Sequence, residues 1–169
     1  MPKRKIKYLD PEVQPLAIEF LKRCKKAGYR VIITQTLRTF EEQDELYKIG
    51  RQGIPGEKPV TNARGGYSWH NFGRAFDIAF LVRTPEGRWR ISWDEDLPWE
   101  EVGKIGESIG LEWGGRWKFQ DKPHFQYRGG HTLAELRRKY YREQMRKIKQ
   151  KIRDMIKETS RKMLQYIRE

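Results

Sequence analysis

The glycine pair Gly129-Gly130 divides the sequence into two parts that differ in composition. Residues 131–169 carry 13 Lys or Arg and 5 Asp or Glu, a net charge of +8, whereas the preceding 130 residues have a net charge of +5. Adjacent glycines interrupt regular structure. We therefore expect a folded domain over residues 1–130 and a separate basic extension over residues 131–169.

The basic extension has the pattern of an amphipathic helix. Thr132 and Glu135 have the spacing of a capping box at a helix start. Beyond them, apolar residues recur mostly at steps of three or four on an otherwise cationic background. We predict one or two amphipathic helices over residues 132–168. Their apolar stripe either packs on the domain or a partner helix, or it binds an anionic membrane or wall; the pattern leaves both open.

Residues 1–130 combine helical periodicity with short alternating segments. The stretch from Arg74 to Val82 places Phe76, Ile78 and Phe80 on one face of a strand and Asp77 on the other. The predicted class is α+β, with a small, mainly antiparallel sheet flanked by helices. Helices are predicted at 11–27, 39–48 and 99–109, strands at 29–34, 74–82, 89–93 and 123–127, and a Gly/Pro-rich loop at 50–66.

Composition narrows the class of protein further. The 169 residues include six Trp, eight Tyr and seven Phe, enough large side chains for a compact core, and the net charge of +13 favours anionic partners. Cys24 is the single cysteine, which excludes an intramolecular disulfide and a Cys-based zinc site. The sequence has neither the apolar run of a secretory signal after its basic start nor a run near ~20 residues that would span a bilayer. We expect synthesis in the cytoplasm.

Two of the three histidines lie in surroundings typical of a metal site. A turn at Asn71 to Gly73 separates His70 from the strand that carries Asp77, so both side chains can converge, and Pro123 fixes the backbone before His124. Two imidazoles and one carboxylate leave the open fourth position of a catalytic zinc site. The alternative is a pair of hydrogen-bonded structural His-Asp contacts.

These motifs resemble a known family. Residues 68–78 match S-x-H-x-x-G-x-A-x-D of the zinc peptidases grouped with D-Ala-D-Ala carboxypeptidases (LAS-type, VanY-like). Residues 110–126, GLEWGGRWKFQDKPHFQ, resemble the L-alanyl-D-glutamate endopeptidase branch, as do residues 37–47 and 61–66. The resemblance covers about residues 10 to 127 and implies a hedgehog/DD-peptidase-like fold; the C-terminal extension lies outside it.

The resemblance implies one Zn²⁺ per chain, held by His70, Asp77 and His124. Asp121 corresponds to the general base, which takes a proton from the activated water and passes it to the leaving amine. The carboxypeptidase and dipeptidase branches place a Glu three residues before the last His, in an E-x-x-H setting. This sequence has Asp121 in D-x-P-H, which favours the endopeptidase branch.

Two further residues acquire roles from the same resemblance. Arg38 corresponds to the arginine that faces the substrate carbonyl; its alternative is a surface salt bridge with Glu41 or Glu42. Ser68 corresponds to a polar residue near the substrate, and it is equally compatible with a purely structural role in the turn.

The sequence therefore predicts a zinc-dependent endopeptidase that hydrolyses the L-Ala-D-Glu bond of the peptidoglycan stem peptide. The predicted biological role is that of a phage endolysin that lyses the host and acts antimicrobially. It would be a monomer made in the host cytoplasm, without a specific nucleic acid partner, and act on the wall after release. The alternatives are a bacterial autolysin, a D-Ala-D-Ala carboxypeptidase, and a non-enzymatic, metal-stabilised wall- or membrane-binding module.

Overall fold

The computed structural model describes residues 3–52 and 56–168. Residues 53–55 of the predicted Gly/Pro-rich loop lie outside the described residues. The chain separates into two compact units, residues 1–130 and residues 131–169, and each is described by itself below.

The helices of the first unit form where the sequence predicts them. The first begins later than predicted because the backbone N–H groups of Val13 and Gln14 donate to the carbonyl of Asp10 in a preceding turn. The second begins with a capping box in which Thr39 accepts from the backbone of Glu42 and the Glu42 carboxylate accepts in return. The bounds are α1 Gln14–Lys26, α2 Phe40–Lys48 and α3 Trp99–Glu107.

Short strands of the described residues form an antiparallel sheet around a long central strand, as the predicted class requires. The strands are β1 Val31–Gln35, β2 Ala75–Arg83, β3 Trp89–Ser92, β4 Glu112–Trp113 and β5 His124–Gln126. The central strand, β2, pairs with β1 along one edge and with β5 and then β3 along successive stretches of the other. Strand β4, which was not predicted, extends the sheet beyond β5.

The two faces of β2 separate the hydrophobic core from the site. Phe76, Ile78 and Phe80 belong to the buried core, which confirms the predicted alternation. The ring of Phe20 from α1 lies 5.6 Å from that of Phe76 and 4.7 Å from that of Phe125. Asp77 emerges on the opposite face, so the core holds the strand rigidly beneath the Asp77 carboxylate.

The second unit is one continuous helix, α4 Leu133–Arg168. Its start is capped as predicted: the Glu135 N–H donates to Thr132 Oγ1 at 3.2 Å, and the Thr132 N–H donates to the Glu135 carboxylate at 2.8 Å. Among the described residues, no helix combines the length and hydropathy needed to cross a membrane. The apolar side chains exposed along this helix include Tyr141, Met145, Ile148, Ile152, Met155, Ile156, Met163, Leu164, Tyr166 and Ile167.

Candidate metal centre

Strand pairing places Asp77 and His124 together. In the antiparallel β2–β5 pair, Asp77 lies directly opposite His124. Directly opposed residues of an antiparallel pair project from the same face of the sheet. The two side chains therefore meet across 47 residues of sequence, on the face away from the core.

A short 3₁₀ helix, Trp69–Phe72, brings His70 to the same point. It ends at Gly73, whose φ of +67° lies in the left-handed region, and a Cβ built there would lie 2.9 Å from the backbone N of Asp10. Glycine satisfies both constraints. The predicted turn between His70 and the Asp77 strand is therefore present, and it returns the chain into β2.

The three candidate ligand atoms form a nearly equilateral triangle. His70 Nε2 lies 3.1 Å from Asp77 Oδ1 and 3.2 Å from His124 Nδ1, and the latter lies 3.1 Å from Asp77 Oδ1. Tetrahedral zinc with ligand bonds near ~2.1 Å separates its ligand atoms by about 3.4 Å. The triangle therefore fits a zinc ion with its fourth position open.

The hydrogen bonds of the histidine ring nitrogens that face away from the triangle also fit a zinc site. His70 Nδ1 lies 2.7 Å from the carbonyl oxygen of Thr36, and His124 Nε2 lies 3.1 Å from Oε1 of Gln126. Both acceptors favour a ring proton on the nitrogen that faces them, His70 Nδ1 and His124 Nε2. The other two nitrogens, His70 Nε2 and His124 Nδ1, therefore present lone pairs to each other. A cation between them resolves that repulsion, and such outer-shell bonds are typical of metal-ligating histidines.

The sequence prediction missed both acceptors. Gln126 was detectable, because it follows His124 by two residues in a strand and so shares its face. The Thr36 contact uses a backbone carbonyl that only the fold brings near His70, and the sequence carries no pattern for it.

Asp77 and His124 shift each other's pKa. Burial raises the pKa of Asp77, but the adjacent imidazoles of His70 and His124 outweigh burial and hold that pKa well below its usual range. Burial lowers the pKa of His124, and Asp77 more than offsets this, so that pKa is raised. Asp77 is thus the ionised carboxylate that a metal ligand must be.

Asp121 stands beside the triangle on a tight turn. The backbone N–H of His124 donates to the Asp121 carbonyl at 3.1 Å, and the backbone N–H of Asp121 donates to the Gly114 carbonyl at 3.0 Å. A Cβ at Gly114 would lie 2.5 Å from the Asp121 carbonyl oxygen, so glycine permits this approach. Desolvation raises the pKa of Asp121, the negative charge of Asp77 adds to the rise, and His124 opposes it. A raised pKa suits a carboxylate that exchanges protons.

Arg38 is buried at the site. The alternative, a salt bridge with Glu41 or Glu42 at the surface, is therefore wrong. Nη1 of Arg38 donates to Gln43 Oε1 at 2.7 Å, and its Nη2 lies 3.7 Å from Asp77 Oδ2. Among the described atoms, its buried Nε–H has no hydrogen-bond partner. Burial lowers its pKa, and the charges of Asp77 and Asp121 oppose that shift.

An open cleft of about 390 Å³ contains this cluster. Ser68 lines the cleft. It also caps the 3₁₀ helix, because its Oγ accepts from the backbone N–H of His70 at 3.4 Å, so it has the structural role in the turn that the sequence left open. Trp117 lies in the cleft with its ring 5.1 Å from that of His124, whereas Trp113 is buried in the core. The described lining comprises Gln35, Arg38, Leu46, Val60, Thr61, Ala63, Tyr67, Ser68, Trp69, His70, Asp77, Trp117, Asp121, His124 and Gln126.

Comparison with known protein families and curated sequences matches the part of the chain that contains the site. The family model described as D-alanyl-D-alanine carboxypeptidase matches residues 61–127. The peptidoglycan L-alanyl-D-glutamate endopeptidase CwlK of Bacillus subtilis (strain 168) is 40% identical over 123 residues, which cover 70% of this chain and 72% of CwlK.

Solved structures share the fold at lower identity. The L-Ala D-Glu endopeptidase ChiX of Serratia marcescens is 23% identical, with a TM-score of 0.51 over 72% of this chain and 82% of ChiX. A mutant of the vancomycin-resistance D,D-pentapeptidase VanY, solved with Zn(II), is 17% identical, with a TM-score of 0.53 over 76% of this chain and 83% of that chain. At these identities the likeness establishes the fold.

Proposed function

We propose that this chain, which belongs to the peptidase family of D-alanyl-D-alanine carboxypeptidases and CwlK, is a zinc-dependent endopeptidase. The bond that it hydrolyses in this proposal is the L-Ala-D-Glu bond of peptidoglycan stem peptides. The family identity supports a metallopeptidase acting on peptidoglycan. The observation that carries the proposal is the triangle of His70, Asp77 and His124 donor atoms, 3.1 to 3.2 Å apart, beside Asp121.

In this proposal His70, Asp77 and His124 would hold one zinc ion. Zinc supplies Lewis acidity, which lowers the pKa of water towards ~7 and so provides a nucleophile at neutral pH. Asp121 accepts the proton of the attacking water and passes it to the amine nitrogen of the leaving D-Glu. The raised pKa of Asp121 brings its proton affinity closer to that needed for both transfers.

Arg38 stabilises the negative charge that develops on the scissile carbonyl oxygen. Gln43 fixes one end of its guanidinium, and Asp77 lies at the other. A buried, oriented cation is worth more than a solvated one, because no water has to reorganise as charge develops. Ser68 lines the same cleft, and in this proposal its hydroxyl would contact the substrate.

Two observations support the L-Ala-D-Glu bond: the 40% identity to CwlK, an L-alanyl-D-glutamate endopeptidase, and the position of Asp121 in the motif D-x-P-H. The alternative activity is removal of the terminal D-Ala. A defined muropeptide with a complete stem ending in D-Ala-D-Ala distinguishes them. We expect a fragment that begins with D-Glu and retains D-Ala-D-Ala. Release of free D-Ala from an otherwise intact stem would replace the proposal with a carboxypeptidase.

We further propose that the biological role is host lysis as a phage endolysin, with a bacterial autolysin as the alternative. The support is the resemblance of the motifs to a branch that contains both. Inducible expression inside bacteria tests the role: lysis is expected only after the inner membrane is permeabilised. Lysis without permeabilisation would contradict release-dependent action.

For the extension we propose binding to an anionic lipid surface. Helix α4 exposes apolar side chains, and residues 131–169 carry a net charge of +8. Lysines flank the stripe on both sides, for example Lys149 and Lys151 beside Ile148 and Ile152. Pairing two such helices would juxtapose like charges, whereas anionic head groups would complement them.

A further inference from the structure

A second cavity meets the metal cleft at Asp121, which lines both. This cavity has a volume of about 350 Å³, and Trp93 and Trp99 are among the residues that line it. Lys122, the residue after Asp121, also lines it. A peptide whose scissile nitrogen lies at Asp121 would therefore occupy both cavities, one on each side of the bond.

Lys122 already holds a carboxylate at the wall of this cavity, because its partner Glu95 lines the cavity too. Its ammonium forms an ion pair with Glu95. The Lys122 side chain is 28% exposed, whereas that of Glu95 is 87% exposed. Exposed ion pairs contribute little to stability, so Glu95 can rotate into solvent and leave the more enclosed ammonium to another carboxylate.

The proposed substrate presents such a carboxylate at this point. In the stem peptide D-Glu continues through its side-chain carboxyl, so its α-carboxylate is free. That carboxylate is bonded to the same carbon as the leaving nitrogen, which places its oxygens within about 3.5 Å of the nitrogen. Because Asp121 also carries negative charge there, the carboxylate needs a nearby cation.

We propose, resting on the function proposed above, that Lys122 binds the α-carboxylate of the D-Glu residue on the leaving side of the bond. Among the described residues that line the two cavities, the arginine and lysine side chains are those of Arg38 and Lys122. Arg38 lines the metal cleft, where its proposed role is at the scissile carbonyl oxygen rather than on the leaving side of the bond. Lys122 therefore confers a preference for D-Glu over D-isoglutamine, in which a neutral carboxamide replaces the α-carboxylate.

The test compares two synthetic stem peptides that differ only in this group. Wild-type protein should cleave the D-Glu peptide with a kcat/KM about 10- to 100-fold above that of the D-isoglutamine peptide, the range for a lost charged hydrogen bond. Lys122→Met should bring the ratio to about one, mainly by raising KM for the acid, and should retain zinc. Lys118→Met is the matched control, because Lys118 is an exposed residue of the same loop and lines neither cavity.

Binding of the cleavage product gives a readout independent of turnover. Calorimetry with a peptide that begins with D-Glu should show a 10- to 100-fold weaker Kd for Lys122→Met than for wild type. An unchanged Kd and an unchanged acid-to-amide ratio in Lys122→Met would overturn the assignment, as would a wild type without preference. If mass spectrometry shows cleavage at another bond, the proposed function fails, while calorimetry still decides the role of Lys122.

Discussion

The two units of the chain treat their apolar residues in opposite ways. In residues 1–130 the core side chains, such as Phe20, Phe76 and Phe125, are fully buried. In α4 the apolar residues from Tyr141 to Ile167 are 45 to 82% exposed. The first unit therefore has a core of its own, whereas residues 131–168, the described part of the second unit, have an apolar face and a high positive charge but no core of their own.

This difference indicates where precision is needed. The three donor atoms of the metal centre must lie within a few tenths of an ångström of their places, and β2 and β5, packed on the aromatic core, hold two of them. Attraction to an anionic surface needs only net charge and an apolar stripe. We therefore propose that the first unit carries catalysis and the second carries surface attachment, and the predictions below test that division.

The largest effect should come from removing a ligand. His70→Ala, Asp77→Ala or His124→Ala should each abolish both bound zinc and hydrolysis, because each removes one of three protein ligands. His131→Ala is the control, since His131 is an exposed histidine in the second unit. The zinc content is measured by inductively coupled plasma mass spectrometry. Stoichiometric zinc in all three ligand variants would exclude this site.

Asp121→Asn should lower turnover by at least ~100-fold, the usual scale for a lost general base. Zinc content should be unchanged, because the proposed ligands remain. Steady-state hydrolysis of a soluble muropeptide measures the effect, with the exposed Asp96→Asn as control. Near-normal turnover in Asp121→Asn would place the base elsewhere.

Arg38→Ala should lower kcat by roughly 100-fold, as for loss of an oxyanion donor, with zinc retained. Loss of the Gln43 partner adds a structural cost, so thermal unfolding is measured alongside the kinetics. Arg83→Ala, an exposed arginine of β2, is the control. Equal kcat in Arg38→Ala and wild type would remove Arg38 from the reaction.

Gln126→Leu should weaken zinc affinity by roughly 10- to 100-fold, because the outer nitrogen of His124 loses its acceptor. At saturating zinc most activity should return, which separates positioning from catalysis. Competition with a chromogenic chelator gives the affinity, and the exposed Gln52→Leu is the control. Wild-type affinity in Gln126→Leu would contradict the role assigned to this bond.

The sequence predicted local structure well where neighbouring residues determine it. The alternation of β2, the turn before it and the capping box of α2 all depend on neighbouring residues, and the structure has each of them. Strand β4 has two residues, too few for periodicity. The burial of Arg38 depends on Gln43 and on the fold, so the sequence left a surface salt bridge open.

The smallest effect on soluble substrate should follow loss of the extension. Truncation after Gly130 should leave muropeptide hydrolysis within about twofold while abolishing binding to anionic vesicles, since the cationic helix is gone. In the full chain, Ile152→Glu should weaken vesicle binding without changing turnover. Binding should fall with added salt, because charges are screened over ~10 Å at 0.1 M. A truncated protein that fails to fold, or salt-independent binding, would contradict the division.

The central claim is most directly tested by digesting purified peptidoglycan and identifying the new amino terminus by mass spectrometry. The account predicts D-Glu at that terminus, no product after zinc is chelated, and recovery when zinc is restored. Products with any other new terminus, or the same products with the metal removed, would contradict it.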